Sequence, residues 1–439
     1  MEFLHECQSK YGDAFTLRLL NIGTIAMFTK PEAIKQIFTG DPDVLRAGEA
    51  QANLAPLVGS HSVLVLDGSA HLRERRLMMP PFHGERMHAY ATMMRDIADA
   101  SIDAWPLGTP FAIHKFTQHL TLQVILRALF GYDDGPELEH ASRVVTRTVE
   151  SAMSPFVLLP MFQRSFKGRT PWDRFRKIQA VSDEMLFSEI RRRRNAPDVD
   201  KRTDILSLLL QARHEDGSPM SDQELRDELL TLVVAGHETS ATALAWAFER
   251  LLLHPEKLEK ARDEVKRVVG NGPLEPAHLP KLEYIDAVLK ETMRLRPILP
   301  IAVRRVHDPV EIGGFELPVG ASAAPCIYLA QRNPDIYPNP NSFEPERFVG
   351  AKTDPYSWLP FGGGIRRCLG MAFAQYEMKI VLAETLLRTQ LRLVDQRPAR
   401  VTRRAITLVP RGGTQVVLDR REPRRAAPAS HSQSDSTAA

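Results

Sequence analysis

The stretch from Ser221 to His254 contains no proline, and Pro255 follows it directly. It opens with Ser221 and Glu224 in S-x-x-E spacing, the capping box that satisfies unpaired amides at a helix start. A helix of about 30 residues is roughly 45 Å long at ~1.5 Å per residue, enough to cross a whole molecule. The stretch therefore predicts one long helix at the centre of the fold, with no domain boundary inside it.

Small and polar residues interrupt the apolar pattern of this helix at Ala235-Gly236-His237-Glu238-Thr239-Ser240. Glycine costs about 1 kcal/mol relative to alanine in a helix interior, and Ser or Thr hydroxyls bend helices by bonding to carbonyls one turn back. One interpretation is a kink beside a ligand, with Glu238 and Thr239 in line to relay protons. The other is a close helix–helix contact. His237 as a metal ligand is the less favoured hypothesis, because a single histidine on a helix is usually a core or surface residue.

A glycine-rich loop surrounds one cysteine in Phe361-Gly-Gly-Gly-Ile-Arg-Arg-Cys-Leu-Gly370. Glycine lets backbone amides approach from several directions, and a helix that starts beside Cys368 presents unpaired N–H groups. Arg366 and Arg367 add positive charge, so the pattern favours a thiolate at Cys368. Phosphate-binding glycine patterns and the features of a cysteine protease are missing from the sequence. The loop predicts a metal ligand or a nucleophile.

Several motifs occur in a fixed order along the chain: A-G-H-E-T at 235–239, E-T-M-R at 291–294, P-E-R-F at 345–348 and F-G-G-G-x-R-x-C-x-G at 361–370. This order resembles the cytochrome P450 family over residues 10–420. The resemblance implies a mainly α fold with a smaller β region and a long central helix over a haem. It also implies one catalytic domain at residues 1–421, followed by a disordered tail at residues 422–439 that is rich in Arg, Pro, Ala and Ser.

The resemblance also implies roles for particular residues. Cys368 would be the axial thiolate ligand of the iron in haem b, in a loop that includes Phe361, Gly362 and Gly370. Gly236 would make room for dioxygen, and Thr239 and Glu238 would deliver protons. The residues expected to neutralise the haem propionates are His71, Arg75, Arg304 and Arg366, with Arg305 facing outward.

The implied reaction is the insertion of one oxygen atom from O2 into a lipophilic substrate, by hydroxylation or epoxidation. The segments expected to line the substrate pocket are almost wholly apolar, and the apolar connector at 155–162 is expected to form a lid. The alternatives are a peroxide-driven peroxygenase or isomerase, a gas sensor, and a non-catalytic haem-containing protein that binds a ligand. The Glu238–Thr239 pair favours the monooxygenase, because peroxide-using relatives often lack it.

Electrons must come from outside the chain, because the sequence leaves no room for a flavin or iron–sulfur domain. We therefore expect a separate ferredoxin or flavodoxin with its NAD(P)H reductase. Arg73, Arg76 and Arg367 are candidates for a basic docking face toward such an acidic protein. The formal net charge of only +3 does not indicate nucleic-acid binding.

The three cysteines, Cys7, Cys326 and Cys368, lie far apart in the sequence, which argues against a disulfide framework and for a reducing compartment. The first residues resemble neither a signal peptide nor a membrane anchor, and no stretch reaches the ~18 apolar residues that a membrane span needs. The expectation is a cytoplasmic monomer without a membrane anchor.

Local patterns predict several further elements. Residues 14–20 and 24–29, 310–319 and 406–417 read as three hairpins, the last around Gly412-Gly413, and residues 41–67 read as irregular. Residues 282–296 read as a helix that Pro297 ends. In the resembled family, Glu291 and Arg294 of that helix and Arg347 of P-E-R-F form a buried charged network.

Overall fold

A computed structural model describes residues 1–19, 23–82, 86–158, 160–166 and 168–425, and helices dominate them. The α-helices in these ranges are α1 (Glu2–Tyr11), α2 (Pro31–Thr39), α3 (Ala47–Ala50), α4 (Ala55–Val58), α5 (Gly68–Met78), α6 (Arg86–Asp103), α7 (Ile113–Phe130), α8 (Pro136–Ala152), α9 (Pro155–Leu158), α10 (Pro171–Arg194), α11 (Ile205–Gln211), α12 (Asp222–Leu253), α13 (Pro255–Val269), α14 (Glu283–Leu295), α15 (Ile327–Ala330) and α16 (Met371–Arg388). Short 3-10 helices lie at Ala52–Leu54, Pro80–Phe82, Pro160–Phe162, Val199–Lys201, Pro276–Lys281, Pro345–Phe348 and Gly364–Arg366.

The strands are short and form four small sheets in the described residues. They are β1 (Ala14–Leu19), β2 (Gly23–Phe28), β3 (Leu45–Arg46), β4 (Pro110–Ala112), β5 (Arg304–Val306), β6 (Val310–Ile312), β7 (Phe315–Leu317), β8 (Ser322–Pro325), β9 (Thr389–Leu393), β10 (Val401–Arg404), β11 (Thr407–Pro410) and β12 (Gln415–Arg421). The largest sheet has the order β1-β2-β8-β5-β3, and the others are β4-β12-β9, β10-β11 and β6-β7. The mainly α fold with a smaller β region is confirmed.

The long helix α12 begins where its capping box predicts. Ser221 Oγ accepts a hydrogen bond from the backbone N–H of Glu224 at 3.2 Å, and the Glu224 carboxylate accepts one from the Ser221 N–H at 2.7 Å. The helix then continues for 32 residues and packs against α7, α10, α14 and α16. It is buried from Leu225 to Leu251 except at Val234, Ala235, Gly236 and Thr239. The helix therefore crosses the core and is accessible only at these four positions between Leu225 and Leu251.

Among the hydrophobic clusters of the described residues, two show how the parts of the fold are held together. The larger core joins the helices and includes Leu229, Leu244 and Val381. A smaller core lies on the five-stranded sheet and includes Phe28 and Val306. The long helix belongs to the larger core, so the helical elements on both sides of it form one folded unit.

A balanced cluster of charges, formed by Glu291, Glu344, Arg294 and Arg347, lies beside α14, with Glu291 and Arg294 buried and Glu344 accepting from Arg347 at 3.0 Å. Arg294 donates to both Glu291 oxygens, at 2.6 and 2.8 Å, and Arg347 Nε donates to Glu291 Oε1 at 3.2 Å. The remaining Arg294 donors reach backbone carbonyls, including those of Gln331 and Pro340, both at 2.8 Å. The expected contact of E-x-x-R with P-E-R-F is confirmed, and its i, i+3 pair is fully buried.

The hairpin predicted at 406–417 is wrong. Its first half, β11, pairs with the preceding strand β10, so that Val401 faces Pro410 and Arg404 faces Thr407. Its second half, β12, pairs with β9 and with the distant β4. The residues Gly412-Gly413 have positive φ and form the crossing between two sheets. The hairpins in the other two places are confirmed as β1–β2 and β6–β7.

Other expectations need adjustment. The segment 41–67 contains β3, α3 and α4 and is therefore more regular than expected. The helix α12 continues without a break through Ala235–Ser240, so the expected kink does not interrupt it. In the predicted tail, Glu422 N–H donates to the Arg388 carbonyl at 2.7 Å and Arg424 pairs with Asp103. Residues 426–439 lie outside the described residues, and the domain boundary stays a prediction.

Among the described helices, none is both long enough and apolar enough to cross a membrane.

Candidate functional site

The cysteine loop has a backbone that only its glycines permit. Gly362 and Gly364 have φ of 68° and 62°, in the left-handed region. A Cβ at Gly364 would also lie 1.8 Å from the carbonyl oxygen of Phe38, so this position admits no side chain. The Cys368 N–H donates to the Phe361 carbonyl at 2.9 Å, and α16 begins after its N-cap residue Gly370. The loop thus places Cys368 just before a helix start, as the sequence predicts.

Cys368 combines solvent accessibility with a desolvated thiol. The residue is exposed, yet burial raises the pKa of its thiol. A backbone hydrogen bond involving Gly370 and the charges of Arg75 and Arg367 oppose this rise in pKa without outweighing it. The expectation that the loop by itself favours a thiolate is therefore wrong for the protein alone, because desolvation is the larger effect. Coordination of a metal ion would deprotonate the sulfur outright.

A cationic cluster, formed by His71, Arg75, Arg304 and Arg366, lies beside this cysteine. The residues His71 and Arg75 share one face of α5 at i, i+4, as predicted. Burial first, and then the charges of Arg366 and Arg75, lower the pKa of His71 to about 3, so this imidazole is neutral near pH 7 and the positive charge of the cluster comes from its three arginines. Burial, and secondly Arg366, lowers the pKa of Arg304 to about 10. These mutual effects place the four residues close together, although they come from three distant segments.

Within the described residues, the three arginines of the cationic cluster have one carboxylate partner, Asp67. Asp67 accepts from Arg366 at 2.7 Å, and the Val63 carbonyl accepts from the same guanidinium at 2.9 Å. Among the residues described, Arg304 donates to the adjacent carbonyl of Val303, at 3.0 Å, and to no carboxylate. His71 Nδ1 is buried without a hydrogen-bond partner among the residues described. The cluster therefore retains donors and positive charge that a dianionic group would satisfy.

Arg305 points away from the cationic cluster, as expected. Its Nε lies 3.8 Å from the Glu49 carboxylate, and its side chain is one-third exposed. The neighbouring Arg304 is buried. Successive strand residues point to opposite faces, which accounts for the difference between these adjacent arginines in β5.

The interrupted segment of α12 combines a helix contact with an accessible hydroxyl. A Cβ at Gly236 would meet Ile125 of α7 at 3.3 Å, so this glycine lets the two helices approach closely. Thr239 Oγ1 donates to the carbonyl of Ala235 at 2.7 Å, on the accessible side of the helix. The helix–helix contact is therefore the interpretation that fits Gly236, while the Thr239 hydroxyl lies on the accessible side of the helix.

Glu238 lies in a buried polar cluster that sequence reasoning missed. Gln118 Nε2 donates to its carboxylate at 2.6 Å, and Arg404 Nη1 lies 3.4 Å from it. His114 and His237 are at 3.8 and 4.0 Å. Burial raises the pKa of Glu238, and the charge of Arg404 opposes the rise. No local signal links these partners, because Gln118 and Arg404 are 120 and 166 residues away in sequence.

The Cytochrome P450 family model matches residues 1–417, and the chain belongs to this family. It is 40% identical over 416 residues to "Putative cytochrome P450 135B1" of Mycobacterium bovis and Mycobacterium tuberculosis, covering 95% of this chain and 86% of that protein. It is 37% identical over 407 residues to "Putative cytochrome P450 137" of M. tuberculosis, covering 93% and 83%. Membership makes it a haem-thiolate monooxygenase, an oxidoreductase that uses O2, an organic substrate and redox partners.

Solved structures of the same family share the fold. The retinoic acid-bound cyanobacterial CYP120A1 has a TM-score of 0.84 at 24% identity, covering 95% of this chain and 94% of that chain. The haem domain of cytochrome P450DA also has a TM-score of 0.84 at 24% identity, covering 96% and 93%. The residues present fit a haem, because an accessible sulfur ligand lies beside a cationic cluster with unused donors.

Proposed function

We propose that Cys368 is the axial ligand of haem b and that the cationic cluster binds the two propionates. The observation that carries this proposal is the excess of arginine charge, with His71 Nδ1 unpartnered in the described residues, beside the accessible Cys368. The glycine loop, from Phe361 and Gly362 to Gly370, keeps backbone atoms clear of the ligand side. When bound, haem supplies the activation of O2 and the transfer of one oxygen atom.

Spectroscopy of the reduced carbonyl adduct tests this ligand assignment. The Cys368→Ser protein is expected to lose the red-shifted absorption that sulfur ligation produces, since serine oxygen is a much weaker electron donor. Cys7→Ser is the matched control, because Cys7 is buried in a separate core cluster, and it should keep the absorption. A Cys368→Ser protein that retained it would refute the assignment.

Thr239 and Glu238 are proposed to deliver protons to bound dioxygen. Thr239 is partly accessible on the otherwise buried central helix, and burial raises the pKa of Glu238, the direction that keeps a proton available on this carboxyl. Gly236 acts beside them by allowing α12 to approach α7. The proton relay also favours O2 with external electrons over peroxide as the oxidant.

The relay is tested by counting product per NAD(P)H consumed. Thr239→Val and Glu238→Gln are each expected to lower the product-forming rate by about 100-fold, within the usual range for acid–base groups. Thr148→Val is the control, because Thr148 makes the same bond to a carbonyl one helical turn back, at 2.9 Å in α8. Unchanged rate and product yield in both relay variants would contradict the proposed proton path.

The proposed substrate is a small lipophilic molecule, hydroxylated or epoxidised by this protein. Partly accessible apolar residues follow the end of α14 at Ile298, Leu299 and Val303.

The proposed lid at 155–162 contains Phe156 and Phe162, whose rings meet edge to face with centroids 5.1 Å apart. Leu159 of this segment lies outside the described residues. Lipophilic candidates that shift the haem spin state on binding would identify the class, whereas a preference for charged ligands would contradict it.

The proposed electron source is a separate ferredoxin or flavodoxin with its NAD(P)H reductase. The protein itself is proposed to be a cytoplasmic monomer. Arg73, Arg76 and Arg367 are exposed, although Arg76 also pairs with the exposed Glu215. Arg73→Glu and Arg367→Glu should slow reduction and weaken its salt dependence. Arg143→Glu, an exposed change on α8, is the control. Equal reduction rates in all three variants would contradict the proposed docking face.

A further inference from the structure

Three metal-ligating side chains meet away from the haem site. Glu74 comes from α5, His214 from the turn after α11, and Glu224 from the first turn of α12. One ligand atom of each lies within 4.8 Å of those of the other two. His214 Nε2 and Glu224 Oε2 are 3.9 Å apart. The fold therefore brings one imidazole and two carboxylates together from three separate segments.

The Glu74 carboxylate is buried without adequate partners. Only 1% of the residue is exposed, and its Oε2 has no hydrogen-bond partner among the described residues. In the described residues, the cation next to its Oε1 is Arg73, whose Nε lies 3.8 Å away, beyond hydrogen-bonding distance. The Nδ1 atom of His214 is also buried without a partner in the described part of the chain. A buried polar group without a partner is unfavourable and requires an explanation.

Negative charge exceeds positive charge around these residues. Burial first, and then the Glu224 carboxylate, raises the pKa of Glu74. Glu228, one turn beyond Glu224 on α12, is completely buried, and its Oε2 also lacks a partner in the described ranges. Burial raises the pKa of Glu228, and the Glu74 and Glu224 charges add to this rise. A divalent cation would neutralise this excess of carboxylates.

We propose that Glu74, His214 and Glu224 bind one divalent transition-metal ion of the zinc class. Imidazole with carboxylates is a donor set that Zn²⁺ accepts in tetrahedral sites, with water at the remaining position. At metal–ligand distances of about 2.0–2.2 Å, tetrahedral ligand atoms are about 3.4 Å apart. The present separations require a small contraction, which rotation of the Glu74 and Glu224 side chains supplies.

The site would connect the helix that carries the cationic cluster to the central helix. Glu74 directly precedes Arg75, and Glu224 is the capping-box acid of α12. Glu224 Oε2, the oxygen 3.9 Å from His214 Nε2, also accepts from the Ser221 N–H and hydroxyl, while Oε1 has no hydrogen bond among the residues described. The capping box and the metal therefore use the carboxylate together, and the ion would hold α5, the 212–220 turn and α12 in register.

Zinc binding to the chelator-treated holoprotein tests the proposal. Equilibrium dialysis with elemental analysis should find one zinc per chain, and X-ray absorption at the zinc edge should show one imidazole and oxygen ligands. Glu74→Gln and His214→Gln should each weaken zinc affinity at least tenfold. Glu215→Gln and His140→Gln are matched controls, because both positions are exposed and lie outside the cluster, and they should bind zinc as the parent protein does.

Thermal unfolding with and without zinc provides the second measurement. Zinc should raise the Tm of the parent protein and of both controls, but not that of the cluster variants, whose folding is verified by the reduced carbonyl spectrum. Two results together would overturn the proposal: Glu74→Gln raises the Tm in the absence of zinc, and zinc does not raise the Tm of the parent protein. They would show that the carboxyls hold protons. Equal zinc affinity in the parent and in a Glu74→Gln/His214→Gln double variant overturns it as well.

Discussion

The balanced cluster and the cationic cluster each include buried polar side chains, but within the described residues only the first is satisfied by the protein itself. In the balanced cluster, Arg294 uses its donors on Glu291 and on backbone carbonyls. In the cationic cluster, Arg304 has one backbone acceptor and His71 Nδ1 has none among the described residues. The contrast teaches that a complete set of partners indicates a structural role, whereas an incomplete one indicates a place for a ligand.

The largest effect is expected from breaking the balanced cluster. Glu291→Gln would leave Arg294, which is completely buried, without its counter-charge. Removing one partner of a buried pair costs about 3–5 kcal/mol, so the free energy of unfolding should fall by that amount with or without haem. Urea denaturation followed by circular dichroism measures it. A loss below ~1 kcal/mol would show that Arg294 is held mainly by its backbone carbonyls.

A smaller and different effect is expected in the cationic cluster. Arg304→Gln removes a charged donor proposed to bind a propionate, a bond worth about 1.5–3 kcal/mol. Haem loss to an acceptor protein should become roughly 10–100-fold faster. The stability of the haem-free protein should stay equal or rise, since a repulsion with Arg366 is removed.

Arg305→Gln is the control for this experiment, because its side chain points outward toward Glu49. It should leave haem loss unchanged. If Arg304→Gln destabilises the haem-free protein as Glu291→Gln does, the distinction between the two clusters fails.

A pH effect is expected from the polar cluster around Glu238. Burial, with a contribution from Arg404, lowers the pKa of both His114 and His237 from 6.5 to about 4. The unfolded chain therefore binds protons between pH 6.5 and 4 that the folded protein does not. The stability that these residues contribute is complete above pH 6.5 and is lost as the pH falls through this window.

His114→Gln should remove one of the protons that the chain takes up on unfolding between pH 6.5 and 4. The slope of unfolding free energy against pH should then decrease by up to about 1.4 kcal/mol per pH unit. Urea titrations at several pH values measure the slope, and His140→Gln on the surface of α8 is the comparison. An identical slope in parent and His114→Gln would mean that His114 is already charged in the folded protein.

The smallest effect is expected from an exposed pair. Glu139 and Arg143 are at i, i+4 on α8, with 3.5 Å between their charged atoms and about 70% of each side chain exposed. Glu139→Gln should change the free energy of unfolding by no more than about 0.5 kcal/mol. If it costs as much as Glu291→Gln, burial is not what distinguishes the balanced cluster.

Features that depend on neighbours in sequence were predicted well. The capping box of Ser221 and Glu224 located the start of α12, and the next proline located its end. The i, i+4 spacing of His71 and Arg75 and the i, i+3 spacing of Glu291 and Arg294 placed each pair on one helix face. The motif order identified the family, and with it the cysteine loop and the class of reaction.

The tertiary structure decided what depends on distant segments. It paired β12 with β4 and β9 rather than with β11, placed Gln118 and Arg404 beside Glu238, and brought His214 to Glu74. Burial also reversed the expected effect on the Cys368 thiol. Helix caps and helix faces follow from short-range hydrogen bonding and periodicity, which the sequence alone determines. Strand partners and desolvation depend on which segments meet after folding, and no local pattern carries that information.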